Sequence, residues 1–158
     1  MAYPSKAVYL AGPISNMTYE SARYGWRSEF ADLLPEHIHC FSPMRGKEML
    51  AGISNISSNG AEYPDHAITT DAGITTRDFN DVKNCDAMVA CFLSTPLPSL
   101  GTAIEFGIAM SFQKPIIMIG REGNVNFDHM MMRRMAGYRV NNLDEASVIL
   151  THLLTPGV

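Results

Sequence analysis

The run Ser99-Leu100-Gly101-Thr102-Ala103-Ile104-Glu105-Phe106-Gly107 brings two hydroxyls, backbone N–H groups and one carboxylate into a single short stretch. It follows an apolar stretch at 87–93 that reads as a buried strand, and it opens a helical pattern ending near Phe112. A carboxylate in the first turn of a helix, just past the C-terminal end of a strand, sits where open parallel sheets bind ligands. Helix-terminal amides and hydroxyls hold a sugar or a phosphate, and the carboxylate can attack an electrophilic carbon. The same residues also make an ordinary helix start, because Ser and Thr are good caps and an early Glu favours the dipole.

Other polar residues are expected at the same sheet edge. Tyr9 and the Ala11-Gly12-Pro13 turn end a first strand, and Gly12 permits close backbone approach to a ligand. Asp78 is expected near the start of its helix, where an Asp is also a common cap. Asp81 and Asp86 read as structural. Cys40, Cys85 and Cys91 have no metal spacing and leave an odd thiol, which fits reduced, structural cysteines in a cytosol. The histidines (His37, His39, His66, His129 and His152) are scattered and supply no metal set; His129 alone lies in a region within reach of a site. Neither a metal nor a cofactor is expected.

Several elements must position these groups. Residues 7–11 form a β-rich run ended by Gly12-Pro13. Ala22, Trp26, Phe30 and Leu33 recur at helical spacing and predict one helix over 18–34, stopped by Pro35. A second strand is expected at 37–41. The region 44–75 is polar and rich in Gly, Asn and Ser, an irregular insertion of the kind that is often functional. Helical character resumes over 76–85, and strand three spans 87–93. After the helix bearing Glu105, the pattern gives strand four at 115–119, a helix at about 127–136, a short strand at 138–140 and a last helix at 144–154. This alternation predicts an α/β, flavodoxin-like, doubly wound five-stranded parallel sheet of order 2-1-3-4-5 in one domain over 1–158.

Composition narrows the function classes. The chain has 158 residues, 46% hydrophobic and 18% charged, with a net charge of −4, which are values of a globular protein. No run of Lys and Arg exceeds the pair Arg133-Arg134, so a nucleic-acid polymer is not an expected partner. No apolar run reaches the roughly 20 residues that span a bilayer, and the first residues lead into a strand without a signal-peptide core. A cytoplasmic protein without a membrane partner is the expectation. Among 11 methionines, Met130, Met131, Met132 and Met135 form a cluster suited to a subunit interface, an apolar pocket or simple core filling.

Taken in order, these segments resemble the nucleoside 2-deoxyribosyltransferase family. The resemblance is carried by Tyr9-Leu10-Ala11-Gly12-Pro13, Arg77-Asp78-Phe79-Asn80-Asp81-Val82, Cys85-Asp86-Ala87-Met88-Val89, the Ser99–Glu105 run and Gly137-Tyr138-Arg139-Val140-Asn141-Asn142-Leu143-Asp144-Glu145-Ala146. Ser42-Pro43-Met44-Arg45-Gly46-Lys47 is similar to a bacterial and phage-type branch, and the 44–75 region matches least. The resemblance implies a double displacement at the anomeric carbon of a nucleoside or nucleotide, with a second nucleobase as acceptor. It implies Glu105 as nucleophile, Tyr9 as the group that orients it, and Asp78 as the residue that contacts the base and protonates it. Gly12, Pro13, Ser99, Gly101 and Thr102 would bind substrate. It further implies a homo-oligomer, with His129 and Met130 of a neighbouring subunit closing the pocket.

One position departs from that pattern. Nucleoside-using members place an Asp six residues before the nucleophilic Glu, where this chain has Ser99. Losing that carboxylate removes repulsion against a 5′-phosphate, and the position resembles the related 2′-deoxynucleoside 5′-monophosphate N-glycosidases, which hand the sugar to water. Their Arg-bearing first loop is not evident in Ile14-Ser15-Asn16-Met17-Thr18; Arg23, Arg45 and Lys47 are the alternatives. Three readings therefore stand: a transferase acting on 2′-deoxynucleosides or their 5′-monophosphates, a nucleotide hydrolase, and a non-catalytic nucleotide-binding module on the same scaffold.

Overall fold

The computed structural model describes residues 2–157. Strands β1 (Lys6–Ala11), β2 (Ile38–Phe41), β3 (Ala87–Cys91), β4 (Ile116–Ile119) and β5 (Tyr138–Val140) join in one parallel sheet. Their order is β2-β1-β3-β4-β5, as the alternation of patterns predicts. Every residue of β3 and β4 is buried, which explains their unbroken apolar runs: helices cover both faces of the sheet.

The helices are α1 (Tyr19–Arg23), α2 (Gly25–Asp32), α3 (Asp71–Asn84), α4 (Leu100–Ser111), α5 (Val125–Asp128), α6 (Met130–Met135) and α7 (Leu143–Leu154). Strand alternation sorts side chains between two cores. Val8, Leu10, Val89, Cys91, Ile117 and Ile119 pack with Trp26 and Phe30 of α2 and with Leu143, Ala146, Leu150 and Leu154 of α7. On the other face Tyr9, Ala11, Met88, Ala90, Ile116 and Met118 pack with Val82 of α3, Phe106 and Ala109 of α4, and Met132 of α6. Tyr9 therefore points to the α3–α4 side of the sheet. The strand order reverses between β1 and β3, and the crevice at their C-terminal ends is where such sheets take ligands.

Four expectations need correction. The helix expected over 18–34 is two helices, because Tyr24 (φ −99, ψ −80) and Gly25 (φ +26) turn the chain between α1 and α2. Helix α3 starts at Asp71, before the expected 76; the Thr70 side chain caps it by accepting from Gly73 N–H at 3.0 Å. The helix expected at 127–136 is broken at His129, whose backbone is extended (φ −60, ψ 126). Strand β3 stops at Cys91 rather than 93.

The 44–75 region is mostly irregular before α3, with 3-10 turns at Glu48–Leu50 and Ala67–Thr69. It nonetheless builds a third core, in which Met44, Leu50 and Ile56 pack on Tyr19 and Ala22 of α1. Backbone bonds fasten it to the loop after β1: Asn16 N–H donates to Ile56 C=O at 2.8 Å, and Ile56 N–H donates to Met17 C=O at 2.9 Å.

Candidate active site

Glu105 is the sixth residue of α4, in its second turn, and α4 has no acidic residue in its first turn. The expectation of a first-turn carboxylate is corrected, and with it the reading of Glu105 as a dipole-favouring cap residue. Ser99 holds the N-cap position with an extended backbone, yet its side chain makes no capping bond. Its Oγ instead lies 2.8 Å from Thr102 Oγ1, and its amide donates to Asn126 Oδ1 at 2.8 Å.

The fully buried Tyr9 reaches from β1 to α4, and its hydroxyl donates to Glu105 Oε1 at 2.7 Å. Burial pushes the Glu105 carboxyl up to about 7; the Tyr9 hydrogen bond pulls it down, the Asp78 charge pushes it up, and Arg27 and Lys47 pull it down. Burial and the neighbouring Glu105 charge hold the Tyr9 phenol well above its ordinary range, so it remains a donor.

Asp78 is the eighth residue of α3, so the expected position at the helix start is corrected: it is no cap. Burial raises its carboxyl above the usual range, against the charges of Lys47 and Arg77. The Arg77 Nη2 donates to Asp78 Oδ1 at 3.1 Å and to Pro43 C=O at 2.6 Å, and its Nη1 donates to Arg45 C=O at 2.8 Å. Arg45 in turn grips Asp81 through both terminal guanidinium nitrogens, with Nη2 donating to Oδ1 at 2.8 Å. Asp81 is thus structural, as is Asp86, which accepts from Ala7 N–H at 2.8 Å and from Lys6 Nζ at 3.2 Å.

The model of the family described as nucleoside 2-deoxyribosyltransferase matches residues 8–147. The chain belongs to that family. No curated protein sequence matches it. A 2-deoxyribosyltransferase from Bacillus psychrosaccharolyticus has a similar fold, with a TM-score of 0.60 at 18% identity over 89% of this chain and 90% of that one. A 2-desoxiribosyltransferase from Leishmania mexicana gives 0.56 at 17% identity, over 92% of this chain and 96% of that one. A conserved protein from Enterococcus faecalis gives 0.54 at 18% identity, over 94% and 98%.

Within this deoxyribosyltransferase-family chain, Gly12 and Pro13 are buried just past the end of Tyr9's strand. Gly12 has φ +142, and a Cβ there would lie 2.8 Å from the Cys91 carbonyl, so its lack of a side chain serves the approach of β1's end to β3. Gly101 has open space around it, and Thr102 is buried. His129 and Met130 lie at the α5–α6 junction, where Met130 is exposed and the His129 Nδ1 accepts from Met131 N–H at 3.3 Å. Among the described residues, no helix is long and apolar enough to cross a membrane, and no group of His, Cys, Asp and Glu is arranged to hold a metal ion. A cavity of about 400 Å³ lined by Trp26, Cys91, Arg121 and Asn141 shares no residue with the carboxylate cluster.

Sequence reasoning missed two supports. Arg27, on the buried side of α2, donates to the carbonyls of Leu10 at 3.1 Å, Ala22 at 2.7 Å and Gly12 at 3.2 Å. Its signal is a cation next to Trp26 on a helix face that otherwise reads apolar. Asn124 and Asn126 pin the loop before α4: Asn124 Nδ2 donates to Thr95 C=O and Asn126 Nδ2 to Leu97 C=O, each at 2.9 Å. Their signal is the Gly123-Asn124-Val125-Asn126 turn itself.

Proposed function

We propose that this protein is a nucleoside 2-deoxyribosyltransferase that works through a covalent deoxyribosyl–Glu105 intermediate. The observation that carries the reading is the Tyr9–Glu105 hydrogen bond at 2.7 Å, which fixes one carboxylate oxygen and leaves the other for attack. Glu105 attacks C1′ as the C1′–N bond breaks, and the electron pair of that bond passes to the departing base. Asp78, kept protonated more readily by burial, hands the base a proton. The second base then attacks C1′, gives up a proton to Asp78 and releases Glu105, so two inversions leave the configuration retained. A 2′-deoxynucleoside or its 5′-monophosphate and a free nucleobase are the partners, and no cofactor enters the scheme. Assembly as a homo-oligomer, with His129 and Met130 closing a neighbour's pocket, belongs to the same reading.

A second reading, hydrolysis of nucleoside 5′-monophosphates, is favoured by the first turn of α4. It carries no acid and has at its start the half-buried Ser99 hydroxyl, paired with the buried Thr102 Oγ1, a setting that suits a phosphate better than a carboxylate would. Incubation with a deoxynucleoside or its monophosphate, with and without acceptor base, separates the two. Base exchange without accumulating free sugar supports transfer; steady release of deoxyribose 5-phosphate overturns it. A Glu105→Ala variant with full activity sinks both, and ligand binding without turnover in the wild type leaves only a binding module.

A further inference from the structure

Lys47 ends the Ser42–Lys47 turn after β2, and that turn is held rigidly. Arg77 bonds the carbonyls of Pro43 and Arg45, Arg45 grips Asp81, and Met44 is fully buried. Lys47 is only 4% exposed, with its ammonium 5.4 Å from the centre of the Tyr63 ring. Among the described residues it forms none of the ion pairs. The Lys47 stem is buried while its ammonium, with no side-chain or backbone acceptor among the described residues, keeps some access to solvent, so a ligand oxygen reaching it gains a charge-assisted hydrogen bond. The neighbouring charge that acts on it most strongly is Asp78, and burial lowers Lys47 to about 8.

The sheet order separates this group from Ser99. The Ser99 amide is tied to Asn126 of α5, which follows β4, whereas the Lys47 turn follows β2. The two therefore flank the β1–β3 crevice from opposite sides. A substrate with its sugar over Glu105 and its 5′ end toward Ser99 directs its base toward Asp78 and Lys47.

We propose that Lys47 reads the nucleobase by donating a hydrogen bond to the O6 carbonyl of a 6-oxopurine, beside Asp78 at N7. This deepens the transfer reading and rests on it. A 6-oxopurine presents N7 and O6 as two acceptors on one edge, whereas adenine presents an amino donor in place of O6. An ammonium has three donors and no acceptor, so it accepts the first edge and repels the second.

The test compares kcat/KM for deoxyinosine and deoxyadenosine, each with and without a 5′-phosphate, in wild type, Lys47→Met and Lys47→Gln. The wild type favours the oxopurine, and both variants lower the deoxyinosine-to-deoxyadenosine ratio by about 10- to 100-fold, with or without phosphate. Because the ratio is taken within one preparation, partial loss of folded protein does not disturb it. A wild type that favours adenine, an unchanged ratio, or a loss confined to phosphorylated substrates overturns the proposal. Calorimetric titration with free hypoxanthine and adenine reads the same contact without turnover. Tighter hypoxanthine binding that Lys47→Met abolishes supports it even if transfer fails; equal affinities in wild type overturn it.

Discussion

Glu105 is held at a cost that titration can expose. Its carboxyl sits at about 7 in the folded chain against 4.5 in its ordinary state. Between those values the folded chain holds a proton that the unfolded chain has released, so stability falls as pH rises from 4.5 through 7. Replacing Glu105 with Gln removes this penalty. Denaturant unfolding is expected to show Glu105→Gln more stable than wild type by roughly 3 kcal/mol at about pH 8, with the difference vanishing below about pH 4. Tyr9 acts in the opposite direction by stabilising the ionised carboxylate. Tyr9→Phe should therefore move the acidic limb of the kcat/KM profile to higher pH, by about one unit for a single hydrogen bond to a charged group. A limb that stays in place would show that Glu105 ionisation does not govern the rate.

Elements place these residues by tying loops together. Arg27 ties α2 to the end of β1 through the carbonyls of Leu10 and Gly12 and to α1 through that of Ala22, and among the described residues no carboxylate accepts from it. Arg27→Met leaves those acceptors buried and unpaired, an expected loss of at least about 3 kcal/mol in urea unfolding. Asn126 links α5 to the start of α4 through Ser99 and Leu97. Asn126→Ala should loosen that loop, lower stability by about 1–3 kcal/mol and raise KM more than it lowers kcat. An unchanged KM would show that the loop does not bind substrate.

At the scale of the whole molecule, α4 and α6 leave an apolar surface. Leu100 is 79% exposed, Ile104 64%, Met130 73% and Met131 62%. A neighbouring copy covering this surface would bury it and bring Met130 toward another subunit's pocket, as the proposed homo-oligomer requires. Sedimentation equilibrium should show a dimer or larger species, and Ile104→Glu should shift it toward monomer. A wild type that sediments as a monomer at micromolar concentration would overturn this assembly.

Local pattern made the sheet legible. Continuous apolar runs at β3 and β4, the Gly12-Pro13 turn and the alternating elements were enough for the parallel order, because burial on both faces leaves a one-dimensional record. Tyr9, Asp78 and Glu105 were legible as candidates through their order along the chain, though spacing misplaced two of them within their helices. Helix starts depend on caps such as Thr70, and breaks depend on single backbone angles at Tyr24 and His129, which hydrophobic period does not record. Tertiary structure alone decided that the Tyr9 hydroxyl meets Glu105, that Arg27 lies buried against three carbonyls, and that the Lys47 stem is buried without an ion-pair partner for its ammonium among the described residues. Most of these contacts join residues far apart in the chain, and their energies depend on burial that no local window contains.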